Sequence, residues 1–191
     1  NNSGSNIGGW GDCGILKSFR DWAYGRGETV RATTSFLLAG STTLDGDSIQ
    51  PQVNPSKTDC WNGKAYTPLK QLTPGRTKYG TNNNARIFRY ADVLLMNAEA
   101  KIKNGKNGDA PFNEVRRRAK MPELTNVTFK QVIDERRMEL MCEWGERYND
   151  LVRTGLAKTE LKGWSEDKAL LPLPFNQYTQ IPDLLLEPKE E

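Results

Sequence analysis

Histidine is absent from the 191 residues. That absence removes imidazole general-base catalysis, a Ser-His-Asp triad, a Cys-His dyad and every zinc site that needs a histidine ligand. Cysteine is scarce: Cys13, Cys60 and Cys142 have no C-x-x-C spacing, a poor set of metal ligands. A Cys13–Cys60 bridge is compatible with the sequence, and Cys142, between Met141 and Glu143 in a strongly helical stretch, reads as a buried thiol. No apolar run approaches the roughly 18 residues that a membrane-spanning helix needs. The glycines of Gly4-Ser-Asn-Ile-Gly8-Gly9 lack the lysine and the strand-to-helix context of a phosphate loop, so no cofactor is implied. Neither sign of charge dominates. The 27 basic and 24 acidic side chains leave +3, too little for a nucleic-acid footprint over the whole chain. The opening Asn-Asn-Ser-Gly-Ser has neither an initiator Met nor a signal-peptide pattern, which predicts a piece of a longer protein.

What is present falls into two grammars. Residues 1–84 are rich in Gly, Ser, Thr, Asn and Asp, with turn signals at Gly8-Gly9, Asp45-Gly46, Asn62-Gly63 and Pro74-Gly75. This region reads as loop-dominated, with short strands at Glu28–Ala32 and Thr34–Leu38 and a helical turn or two in Ile15–Ala23. The polar tract ending at Asn84 reads as a linker.

From Ala85 the apolar period becomes 3.6. Ile87, Tyr90, Ala91, Leu94, Ala98 and Ile102 share one face of a predicted helix. Asp109 is the expected N-cap of a second helix carrying Phe112, Val115 and Ala119. Thr128-x-x-Gln131 is a capping box, and Phe129 to Trp144 continue at helical spacing up to Gly145. A fourth piece with Tyr148, Leu151 and Val152 ends at Gly155. Ile87 to Lys120 spans 34 residues, the tetratricopeptide period, with poorly matched consensus side chains. The predicted fold class is therefore mainly α: degenerate tetratricopeptide-like helical hairpins over 85–155, a long irregular region over 1–84, and an extended tail over 156–191 with a Leu-Pro-Leu-Pro motif. A lone hairpin cannot bury both of its faces and needs something stacked against it.

Five blocks in order carry a resemblance. They are Arg89-Tyr-Ala-Asp-Val-Leu-Leu-Met-Asn-Ala-Glu-Ala100, Phe112-Asn-Glu-Val-Arg-Arg-Arg-Ala-Lys-Met-Pro122, Ile133-Asp-Glu-Arg-Arg-Met-Glu-Leu140, Glu143-Trp-Gly-Glu-Arg-Tyr-Asn-Asp-Leu-Val-Arg-Thr-Gly155 and Leu170-Leu-Pro-Leu-Pro174. Together they resemble the C-terminal signature of the SusD/RagB family. The resemblance implies a non-catalytic, surface-exposed outer-membrane lipoprotein of Bacteroidetes. Such a protein captures a glycan, or in some cases a peptide, and passes it to a SusC-like TonB-dependent transporter. It also implies that the lipid anchor and part of the ligand site lie outside this chain.

Three features compete for chemistry. Glu135, Glu139, Glu143 and Glu146 stand at helical spacing, which could supply glycosidase carboxylates. Their neighbours Arg136, Arg137 and Arg147 lower carboxylate pKa values, the wrong direction for a general acid, so ion pairs joining stacked helices are the favoured reading. Arg116-Arg-Arg118 sits in the last turn of a helix, where cations complement the macrodipole. The aromatics of the loop region remain, because sugars stack their apolar faces on rings beside hydrogen-bonding side chains. Trp10, Trp22, Tyr24, Trp61 and Tyr66 are the candidates. The expected ligand site is Trp61 and Tyr66 with Asn62, Asp59 and Trp10, while Trp144 is expected in the core and Trp164 at an interface. A protein-gripping repeat module without a sugar ligand is the alternative.

Overall fold

The computed structural model describes residues 14–49, 58–72, 86–144, 146–170 and 175–180, without the side chains of Thr58, Asp59, Phe175, Tyr178 and Thr179. Contacts group the chain into two compact units, Asn1–Arg147 and Tyr148–Glu191. The change of grammar at Ala85 therefore falls inside one compact unit. Cys13 and Trp10 lie outside the described residues.

In the first unit a small antiparallel sheet has β3 (Thr58–Asn62) between β1 (Gly14–Leu16) and β2 (Phe36–Leu38). Ile15 pairs with Cys60, and Leu37 with Trp61. Because side chains alternate across a strand, the sheet feeds two cores. Ile15, Phe36 and Cys60 pack with Ala23, Ala32, Met138 and Met141, while Leu37 and Trp61 on the opposite face pack with Ile49. The helical turns expected near Ile15–Ala23 are α1 (Lys17–Gly25). The strand expected at Glu28–Ala32 is instead overlapped by α2 (Val30–Ser35). β-Branched residues are accommodated on the helix: Thr33 and Thr34 return their hydroxyls to the carbonyls of Thr29 and Arg31. Helical spacing also lets Arg31, Ala32 and Ser35 turn inward together.

The helical part follows the predicted hairpins. α3 (Tyr90–Lys103) packs on α4 (Asp109–Arg118) and α5 (Phe129–Glu139) around Leu94, Leu95, Ala98, Phe112, Val115, Val127 and Val132. Ile87, expected on the buried face, precedes α3 and is exposed. Asp109 does not cap α4. It is the first helical residue, and its carboxylate accepts from the backbone N–H groups of Asn126 and Val127, tying down the loop before α5. The capping box at Thr128 and Gln131 forms with both of its bonds.

α5 stops at Glu139, five residues before Trp144. The reason lies in where the Glu139 carbonyl goes. It accepts from Arg89 Nη2 at 2.7 Å and from Lys64 Nζ, while the amide of Glu143 bonds Leu140 instead of continuing the helix. Two cations from distant segments thus cap the C-terminus. The chain turns away through Cys142 and Trp144, both at positive φ, a conformation that costs non-glycine residues on the order of 1–3 kcal/mol each. Cys142 and Trp144, expected to be buried, are consequently exposed.

α6 (Glu146–Arg153) leads into the second unit, where Arg153 pairs with the buried Asp150 at 2.6 Å and Gly155 takes positive φ. The segment expected to be extended carries α7 (Ala157–Glu160), a 3-10 turn at Glu166–Ala169 and α8 (Phe175–Gln180). Leu171 to Pro174 of the proline motif lie outside the described residues, and Leu170 before them is exposed.

Candidate ligand-binding site

A cavity of about 600 Å³ opens in the first unit, where the end of α2, the turn after β3, the approach to α3, the end of α4 and the end of α5 converge. Each wall has a local cause. α2 presents Arg31, Thr34 and Ser35. Asn62 Oδ1 accepts from Lys64 N at 2.9 Å and so winds the 3-10 turn Gly63–Ala65, which brings Lys64 and then Tyr66 into the lining. The abrupt end of α5 delivers Glu139, Glu143 and Trp144. Arg86, Arg89 and Arg118 complete the lining.

The expected site residues separate. Trp61 is only 7% exposed, with its indole in the cluster of Leu37 and Ile49, so neither face is available as a sugar platform. The reason is register: β3 is the central strand, and both of its faces are covered. Asn62 is buried in its capping role. Of Asp59 the structure gives the backbone position in β3, and Trp10 is not described. Tyr66 alone of the five lines the cavity. Its hydroxyl donates to Asp47 and lies 3.0 Å from Thr43 Oγ1; burial and the Asp47 carboxylate push its pKa up to about 12. Trp22 is also structural, lying under the guanidiniums of Arg137 at 4.3 Å and Arg26 at 4.8 Å.

An ionic network that crosses from the loop region to the helices forms the cavity floor. Glu139 receives Arg31 at 3.0 Å, Arg89 at 2.8 Å and Arg118. Glu143 pairs with Lys64 at 2.5 Å and Arg89 at 2.8 Å. Behind them Glu135 contacts Arg26, Arg31 and Arg116. Burial favours the protonated form of all three carboxyls, but the surrounding cations outweigh it and hold each below its ordinary value of 4.5. Burial also pushes the Lys64 ammonium down against the pull of Glu143. Ionised, cation-bound carboxylates are acceptors and not proton donors.

A pH dependence follows. Folded-state values below those of the unfolded chain mean that these three groups stabilise the fold fully above about pH 4.5 and lose that contribution as pH falls through their folded values. Denaturant midpoints measured from pH 7 down to 3 should fall steeply below about 4.5. Glu139→Gln should flatten the slope; an unchanged slope would remove Glu139 from the acid-sensitive set.

Sequence reasoning missed Arg86, Arg89, Lys64 and Trp144 as cavity residues. Arg118 was assigned to the helix dipole, but its guanidinium reaches across to α5. The available signal was the excess of arginines over local partners in 86–118, which required partners from elsewhere in the chain.

Comparison with known proteins agrees with this architecture. The sequence profile of the SusD family matches residues 15–172. SusD-like protein P38 of Formosa agariphila is 32% identical over 121 residues, 54% of this chain and 24% of that protein. The fold superposes on surface glycan-binding protein A from Bacteroides thetaiotaomicron with a TM-score of 0.75 and 28% identity, covering 93% of this chain and 41% of that one. A surface glycan-binding protein A of the same organism in complex with laminarihexaose gives a TM-score of 0.72 at 25% identity, covering 90% of this chain and 40% of that one. The chain thus spans about a quarter of the length of the first curated relative and two fifths of these solved chains.

Proposed function

We propose, from the premise that this chain belongs to the SusD family of non-catalytic binding proteins, that it contributes a glycan-binding surface to a cell-surface protein that hands its ligand to a SusC-like TonB-dependent transporter. One observation carries the reading. The cavity is lined by an exposed indole, Trp144, at 64% exposure, together with hydrogen-bonding groups and carboxylates that are already ion-paired. A flat exposed ring next to polar groups suits the apolar face of a sugar, and paired carboxylates suit holding a ligand better than cleaving it. The expected platform therefore moves from Trp61 to Trp144, with Tyr66 retained in the lining.

Trp144 lies outside the buried clusters, so Trp144→Ala should leave stability nearly unchanged. It should lower affinity for a bound oligosaccharide by roughly 1–3 kcal/mol, as removal of a central aromatic anchor does. Titration calorimetry of the intact protein and the variant against neutral and acidic hexasaccharides and a peptide panel tests this. Binding of peptides alone would replace glycan by peptide, and equal affinities would take Trp144 out of the site.

A second reading, contact with another protein surface, is favoured by the apolar stripe Tyr90, Val93 and Met96 on α3, exposed together with Ile87 and Phe88. The two readings are compatible, since delivery to a transporter requires a protein contact.

A further inference from the structure

We infer that the cavity selects an acidic sugar, seating a carboxylate or sulfate ester at Arg86 and Arg118 while the ring lies against Trp144. The inference rests on the reading of this cavity as a glycan site and adds the substrate class. Its ground is the charge inventory of the lining. Five cations face the space, Arg31, Lys64, Arg86, Arg89 and Arg118, against two carboxylates, Glu139 and Glu143.

The cations are not equally available. Arg31 is buried and held by Glu28, Glu135 and Glu139. Arg89 chelates Glu139 and Glu143, and Lys64 is bound to Glu143 and the Glu139 carbonyl. Glu139 thus already serves Arg31 and Arg89 when Arg118 reaches it through Nη2, from a side chain that stays 59% exposed. Arg86 is exposed and makes no ion pair among the described residues. Its carbonyl accepts the indole N–H of Trp144, so this exposed arginine and the exposed ring belong to two residues bonded to each other.

A guanidinium fork matches the paired oxygens of a carboxylate or sulfate, and such charge-assisted bonds are about twice as strong as neutral ones. A concave wall with excess positive charge also concentrates anions. A neutral glucan would use the ring and leave both forks to water.

The test compares a hexasaccharide of galacturonic acid, its carboxyl-reduced neutral counterpart and a sulfated hexasaccharide, titrated into the intact protein. The acidic forms should bind at least about tenfold more tightly than the neutral one, and the advantage should shrink as salt rises from about 0.05 to 0.5 M. Arg86→Gln should cost the acidic ligands about tenfold more than the neutral one, with Arg86→Lys keeping part of the difference. Preference for only the uronate or only the sulfated sugar names the acidic group and supports the inference. Equal affinity for charged and neutral forms overturns it and leaves the glycan reading standing. Binding of none of the three overturns the acidic-sugar inference, while the glycan reading falls only if the wider hexasaccharide panel used with Trp144→Ala also shows no binding.

Discussion

Glu135→Gln should lower the unfolding free energy by about 3–5 kcal/mol, the loss expected when one partner is removed from a buried ion cluster. Glu135 is completely buried in the middle of α5. It faces Arg26 at 2.6 Å, Arg31 at 2.7 Å and Arg116 at 2.9 Å, which come from the end of α1, from α2 and from α4. The contact of Oε1 with Arg31 is ionic without the angle of a hydrogen bond, so charge holds that side of the carboxylate. Glutamine removes the charge and must aim an NH2 at a guanidinium, donor against donor. Arg31 and Arg116 are themselves buried and would be left with less compensation. Guanidinium denaturation at pH 7 reads the loss. A change below about 1 kcal/mol would mean the cluster behaves like a solvated surface network, where pairs are worth little.

The helical half was legible because its signals are local. The capping box at Thr128 and the apolar spacing in α3 and α4 are each contained within a few turns of the residues they order. The end of α5 was not legible. Phe129 to Trp144 keeps helical spacing, yet the helix stops where Arg89 and Lys64, 50 and 75 residues away in sequence, take the Glu139 carbonyl. A periodicity argument has no access to such a partner. The same limit hid the site. Trp61 beside Asn62 and Gly63 looks like a loop aromatic, because β3 is central only through pairing with β1 and β2, each more than twenty residues away. Arg116 and Arg118 looked like helix-end charges because their carboxylates, Glu135 and Glu139, lie in α5. What sequence reasoning did carry was the chemistry of the acidic residues: carboxylates surrounded by arginine were expected to be paired, and Glu135, Glu139 and Glu143 are.

Gly63→Ala should be the most damaging small substitution in the cavity wall, costing roughly 3 kcal/mol or more, at or beyond the upper end of ordinary overpacking. The Asn62-Gly63 pair announces a turn, but space, not torsion, makes this glycine necessary. A Cβ at residue 63 would lie 1.8 Å from the Thr34 carbonyl oxygen and 2.9 Å from its carbon, both backbone atoms at the end of α2. No rotamer relieves such a contact, so either α2 or the 3-10 turn must move. Moving α2 pulls Arg31 from Glu28, Glu135 and Glu139, and moving the turn pulls Lys64 from Glu143. The stability loss should therefore arrive together with a loss of the ligand affinity tested through Trp144 and Arg86. Thermal melts and calorimetry of Gly63→Ala, with Gly46→Ala as a control at a turn glycine that has open space around it but positive φ, separate crowding from torsional strain. A loss at Gly63 no larger than at Gly46 would show that the α2 carbonyl yields without cost and that the cavity wall is softer than its packing indicates.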